Sequence, residues 1–312
     1  MIQYQKILLP ILLLSSVFFI CACERSAFSW PTPETGTIAT ISPASHRDLS
    51  NYLAVHDYRW NNLEQGVPLF LLKTLPKDLH NIQSTTERKR LFFLSLLPAV
   101  LLANQEITLQ RQQLVIALRH YEAGLPLSSA QHLLISRLSK NYRLRHDPLT
   151  NKNARKQLLL RLDTLPPDLV LAQAANESGY GTSRFSQQGN NLFGQWTYAS
   201  GTGLVPKERS ANQRHEVKRF ASLYDSVRSY MNNLNAHRAY RSLRTIRAQK
   251  RARKQAVRGI DLAAGLRLYS SRRDAYVSEI RAIIRSNRLS RLATVNLRTA
   301  AANNDAVNTA SL

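Results

Sequence analysis

Apolar residues recur at helical spacing through most of the chain from about Leu49 onward. The densest run lies within residues 89–109, where Leu91 to Leu102 is apolar except for Ser95 and Pro98. Pro98 predicts a kink or two helices. Charged residues close to both ends argue for a core segment rather than a membrane span. Helical spacing returns over 111–121 and 128–142. Leu165-Pro166-Pro167-Asp168 reads as a helix start, because proline is tolerated in the first turn and aspartate favours the N-terminal end. That helix continues through Leu169, Val170, Ala172, Ala174 and Ala175 over 168–178, and Gly179 and Gly181 punctuate its end. A polar stretch over 201–216 leads into Glu216-Val217-Lys218-Arg219-Phe220, whose alternation predicts a β-hairpin. Ser222 or Asp225 caps the next helix. Further helical patterns cover 239–255, 259–268 and 274–288, and there is no internal repeat.

These patterns divide the 312 residues into five segments. Residues 1–22 are a signal peptide, 23–46 a flexible tether rich in Ser, Thr and Pro, and 47–148 a helical N-terminal region. Residues 149–292 form the candidate catalytic domain, and 293–312 a small, polar, disordered tail. The apolar run 7–20 is too short for a comfortable membrane span and suits a signal-peptide core. It closes on Ile20-Cys21-Ala22-Cys23, which resembles a bacterial lipobox cleaved before Cys23. That resemblance implies lipidation of Cys23, attachment to a membrane through the lipid and an exported protein. Glu24 is not the aspartate of an inner-membrane retention signal, so outer-membrane sorting is the expectation for a Gram-negative source. Cys21 and Cys23 are the only cysteines, so the mature chain has no disulfide, thiolate nucleophile or cysteine metal site.

Charge narrows the partners. A net charge of +23 attracts polyanions: nucleic acid, anionic lipid or an acidic wall polymer. The export signal argues against nucleic acid. Arg238, Arg241 and Arg244 recur at i+3 within a basic stretch reaching Arg258. Their face is expected either to meet anionic polymer or to lie in solvent. No histidine pair has metal-ligand spacing and no glycine-rich phosphate loop occurs, so no metal or other cofactor is expected.

The candidate chemistry sits at the end of helix 168–178. Val170, Ala174 and Glu177 share one face, apolar except for the carboxylate. Glu177 is thereby partly desolvated and lies at the negative end of the helix dipole, the setting a general acid needs. Around it runs Ala174-Ala175-Asn176-Glu177-Ser178-Gly179-Tyr180-Gly181, followed by Gly189-Asn190-Asn191-Leu192-Phe193-Gly194. This pair of motifs resembles the active-site signature of the glucosaminidase family of peptidoglycan hydrolases, family 73 of the glycoside hydrolases, and within it the Bax-like group. Gly203-Leu204-Val205-Pro206, Ser226-Val227-Arg228-Ser229-Tyr230, Tyr240, Tyr269-Ser270 and Tyr276 follow in the order that group shows. Two departures stand out: Tyr180 takes the place of a tryptophan, and Ser271 and Arg273 alter the stretch after Tyr269-Ser270.

The resemblance implies an α+β, predominantly helical, lysozyme-like domain with a small β-hairpin. It implies an endo-β-N-acetylglucosaminidase that cleaves the β-1,4 bond between N-acetylglucosamine and N-acetylmuramic acid in peptidoglycan strands. Glu177 would be the acid. Glu208, in the first arm of the hairpin, is the expected second catalytic carboxylate, ahead of Glu216. Tyr269 would line the cleft as a catalytic residue, and Tyr180, Asn191, Phe193 and Tyr240 would bind substrate. A lytic transglycosylase or muramidase on the same scaffold, and a non-catalytic wall-binding lipoprotein, are the alternatives. Oligomeric state is not legible.

Overall fold

A 38-residue helix organises the molecule. The computed structural model describes residues 38–206, 209 and 214–298. In chain order, β1 (Ala39–Ile41) leads into α1 (His46–Val55), whose N-cap Ser45 forms a reciprocal capping box with Asp48. β2 (Phe70–Leu72) pairs in parallel with β1, Ala39 opposite Phe70 and Ile41 opposite Leu72. The sequence pattern did not predict this pair, and it places the end of the expected tether inside the fold.

α2 (Thr85–Glu122) then runs unbroken through Pro98 and absorbs the segment 111–121. A helical proline leaves the carbonyl four residues earlier without its N–H partner. Here that carbonyl belongs to Leu94, and the hydroxyl of buried Tyr58 donates to it at 3.2 Å. Of the expected outcomes, a kink or two helices, the division into two does not occur, and this bond stands in for the missing one. By length and hydropathy α2 could cross a membrane, but 78% of its most apolar window is buried in the fold, as befits a core helix.

α3 (Ser129–Asn141) and α4 (Lys152–Arg161) follow, then α5 (Pro167–Ser178). Pro167 occupies the first position of α5 and Gly179 ends it with φ of 56°. α2 packs against α3, α5 and α7 (Leu223–Ala236). Residues on both sides of position 148 therefore share one hydrophobic core, with Phe92, Leu97, Leu169, Val227 and Ile280 all buried in it.

α6 (Arg184–Gly189) leads to a three-stranded antiparallel sheet of β3 (Trp196–Thr197), β4 (Gly203–Leu204) and β5 (Glu216–Lys218), ordered β3-β5-β4. Val217 pairs with Trp196 on one side and Leu204 on the other. The predicted hairpin of β4 and β5 thus gains a third strand. α8 (Arg241–Ala252), α9 (Gly259–Leu262) and α10 (Asp274–Ser286) complete the helices, joined by 3-10 turns at Arg238–Tyr240 and Ala263–Leu266. The fold is predominantly helical with a small antiparallel sheet, as expected.

Two expectations need correction. The segment from 293 to 298 is not a loose tail: Val67 donates to the Asn296 carbonyl at 2.9 Å, and Arg298 donates to the carbonyls of Gly66, His56 and Asp57. The basic face at 238–244 is not one solvated stripe either. Arg238 lies in the 3-10 turn before α8, and Arg244 is buried, donating to the carbonyls of Leu234 and His237 at 2.8 and 2.9 Å.

Arg247 is fully buried and grips the turn that feeds α5. It donates to the carbonyls of Leu160, Asp163 and Thr164 and to Asn235 Oδ1, and it pairs with the Asp163 carboxylate at 3.3 Å. Burial lowers its pKa to about 10, so it stays charged at neutral pH. At the first turn of α5, buried Asp168 accepts from the backbone N–H groups of Gly259 and Leu169. Burial raises that carboxylate to about 6. The start of α5 is therefore held by α8 and α9, which sets where its far end points.

Candidate active site

The last turn of α5 presents Glu177, half-buried, to a group of aromatic rings. Tyr276 of α10 donates its hydroxyl to Glu177 Oε1 at 2.7 Å. Gln173, one helical turn before Glu177, donates from Nε2 to the same Tyr276 oxygen at 2.9 Å. The Oε1 of Gln173 in turn accepts from the hydroxyl of Tyr230 on α7. Three elements thus feed one directed chain of hydrogen bonds, Tyr230 to Gln173 to Tyr276 to Glu177. Asn176 adds a longer contact to Oε1 at 3.3 Å. Among the described residues nothing hydrogen-bonds to Oε2.

Burial holds the tyrosines as donors. Tyr230, Tyr269 and Tyr276 are all raised above the ordinary phenol range, chiefly by desolvation, and Tyr240 is raised to about 12 by the same cause. Each hydroxyl is neutral near pH 7. Tyr276 lends its lone pair to Gln173 and its proton to Glu177, so an acidic proton on Glu177 belongs on the open Oε2. One oxygen of the carboxyl is thus fixed, and the other has no hydrogen-bond partner among the described residues.

The expected residues divide between the site and the framework. Tyr269 belongs to the aromatic group: it stacks on Tyr276 with centroids 5.3 Å apart and donates to the Phe193 carbonyl at 2.9 Å. Phe193 stacks on Tyr230 at 3.8 Å, and Tyr240 lies 6.0 Å from Tyr269. These side chains pack together beside Tyr276, and Phe193 and Tyr240 are buried.

Asn191 is placed otherwise. It is 2% exposed, its Nδ2 donates to the carbonyls of Gln195 and Lys218, and its Oδ1 accepts from the N–H groups of Phe193 and Gln195. Its polar atoms join the turn after α6 to the sheet rather than facing a ligand. Tyr180 does not join the aromatic group. Its ring meets Phe92 and Phe93 of α2 at 5.9 and 5.8 Å, under Lys89 Nζ at 5.2 Å. Gly181 allows that approach, since a Cβ there would lie 2.5 Å from Leu75 Cδ1.

Glu208 and Cys23 lie outside the described residues. Glu216, the runner-up carboxylate, accepts from the backbone N–H of Gly201 on Oε1 (3.0 Å) and of Gly203 on Oε2 (2.8 Å). Those two N–H groups hold its carboxyl below the usual range. Among the described residues no three His, Cys, Asp or Glu side chains gather as metal ligands would. Sequence reasoning missed Gln173 as a site residue and took Tyr230 and Tyr276 only as landmarks. The spacing of Gln173, four before Glu177 on the same helix face, was the available signal.

Comparison with known proteins places this site in context. A family model described as Glucosaminidase, mannosyl-glycoprotein endo-beta-N-acetylglucosaminidase, matches residues 153–289, which span Glu177, the sheet and all four tyrosines. Protein bax of Escherichia coli (strain K12) is 32% identical over 213 residues, 67% of this chain and 73% of that one. The catalytic domain of the autolysin Auto from Listeria monocytogenes matches over 54% of this chain and 89% of its own, at 22% identity and a TM-score of 0.31. From the family match and the extent of the bax relationship, the chain belongs to the glucosaminidase family.

Proposed function

We propose that the protein is a peptidoglycan hydrolase, an endo-β-N-acetylglucosaminidase that cleaves the β-1,4 bond between N-acetylglucosamine and N-acetylmuramic acid. The observation that carries this is the state of Glu177: Oε1 is fixed by Tyr276 while Oε2 is open. A proton on Oε2 can pass to the leaving glycosidic oxygen as the bond breaks. Tyr269, half-buried and stacked on Tyr276, then flanks the acid. Family membership supports the glycosidase reading.

Water activation falls to Glu208 or to the acetamido group of the substrate. Glu216 is ill suited, because both of its oxygens are engaged by backbone N–H groups. A base at Glu208 predicts inversion of the anomeric centre, and acetamido participation predicts retention. The anomer assay on wild type and Glu208→Gln separates the two.

Mass spectrometry of digested wall tests the main reading. A reducing-end N-acetylglucosamine is expected. A muramic reducing end would indicate a muramidase, an anhydro-muramic end a transglycosylase, and no product a binding protein. Export with a lipid on Cys23 is part of the same proposal and rests on the sequence alone. Cys23→Ala should block processing or release the chain from membranes; normal maturation and fractionation of that variant would remove the lipoprotein reading.

A further inference from the structure

A pocket lies between the start of α2, the loop at Trp60 and the end of α10, with none of the four tyrosines in its lining. Its volume is about 470 Å³, in the range of small-ligand sites. Lys89, Arg90, Arg288 and Arg291 line it, and no acidic residue does. Arg291 is held over the Trp60 ring at 5.8 Å and reaches Glu64, outside the pocket, at 3.7 Å. Among the described residues Lys89, Arg90 and Arg288 meet no carboxylate at ion-pair distance. Gathering four cations around one cavity, only Arg291 of them with a carboxylate at ion-pair distance, is unfavourable, and an anion entering it relieves that repulsion. Trp60 and Phe93, with ring centroids 5.8 Å apart, supply a flat apolar wall beside the charges.

The pocket is joined to the catalytic helix. Phe93 and Lys89, which line the pocket, both contact Tyr180, three residues after Glu177. Tyr180 thus forms a partition between the end of α5 and the basic cavity. This is also where the N-terminal region meets the last helix.

We propose that this pocket binds carboxylate groups of the peptide stems on wall glycan strands, holding a strand by its anionic branch while Glu177 acts on its sugars. The identity of the ligand rests on the hydrolase reading above; the anion chemistry does not. A strand is favoured over a lipid headgroup because two residues of the cavity pack on Tyr180, three residues after Glu177, and because it has an aromatic wall.

The test is binding of the full chain, carrying Glu177→Gln to prevent digestion, to purified wall sacculi. Arg90→Glu with Arg288→Glu should weaken binding roughly tenfold, a difference of about 1.4 kcal/mol. Converting the carboxylates of the sacculi to amides should weaken the parent by a similar factor and the double variant no further. If amidation weakens both proteins equally, the pocket does not read carboxylates and the proposal fails. It also fails if the double variant keeps its hold on sacculi but loses it on phosphatidylglycerol vesicles, which would make the pocket a lipid-phosphate site. Circular dichroism checks folding, and Arg90→Gln with Arg288→Gln replaces the reversals if they misfold. A wild-type chain that binds sacculi through these arginines but releases no sugar would end the hydrolase reading and leave the binding result standing.

Discussion

Glu177 and Glu216 are both glutamates of the matched family region, yet the fold treats them in opposite ways. Glu216 has each oxygen taken by a backbone N–H, so its charge is spent closing the turn between β3 and β4. Glu177 has one oxygen fixed by a side chain and the other open. A carboxylate saturated by backbone donors is a structural brace, whereas one held from a single side can still exchange a proton with a ligand. The arginines repeat the contrast. Arg247 is enclosed by carbonyls and Asp163, while Arg90 and Arg288 are exposed and line a cavity.

The comparison is broken most directly at Glu177. Glu177→Gln should lower hydrolysis of sacculi by roughly a hundred- to ten-thousand-fold. The amide oxygen still accepts from Tyr276, so thermal unfolding should match wild type. Near-normal turnover would show that the open oxygen is not the acid. Next in size is Arg247→Ala, which leaves the Asp163 carboxylate in a nearly closed site beside only Arg251. Removal of one partner from such a pair typically costs about 3–5 kcal/mol. Denaturant titration should show the loss, whereas Arg241→Glu, at an exposed position, should stay within about 0.5 kcal/mol of wild type. Equal effects would mean that burial does not divide these arginines.

Tyr276→Phe sharpens the picture of how Glu177 is held. It removes the donor to Oε1 and strands Gln173 Nε2 in a buried site, at a cost of about 1–3 kcal/mol. The turnover number should fall while KM moves little, because the ring stays in place against Tyr269. A change confined to KM would make Tyr276 a substrate contact instead of a positioning residue. The smallest effect is expected at Glu216. Its carboxyl titrates lower when folded than when unfolded, so its contribution is present above the ordinary carboxylate range near pH 4 and is lost as pH falls through the folded value. Amide exchange at Gly201 and Gly203, compared with the other sheet amides, should therefore speed up on acidification below about pH 4. Unchanged relative protection would remove Glu216 as the brace of this turn.

Much of the frame was legible in one dimension. Helix starts at Pro167 and Ser222, the αL stop at Gly179 and the position of Glu177 follow from local rules that act over one turn of chain. The uninterrupted course of α2 was not legible. The hydroxyl that replaces the missing bond at Pro98 comes from Tyr58, thirty-six residues before the carbonyl it meets. The β1–β2 pair was hidden for the same reason, since neither three-residue strand has a partner close in sequence.

By itself the sequence determined the family signature, the strongly cationic composition, the helix bearing the candidate acid and the expectation of a lipid-carrying cysteine. These depend on residue type and short spacing. Only the tertiary structure decided which carboxylate is left open, which tyrosine touches it and which arginines are enclosed. The Tyr276 hydrogen bond to Glu177 comes from 99 residues away in the chain, and the carbonyls that hold Arg247 from more than 80, so no local pattern encodes them. Packing brings α5, α7 and α10 together, burial keeps the tyrosines neutral, and the chain from Tyr230 through Gln173 to Tyr276 ends on one oxygen of Glu177.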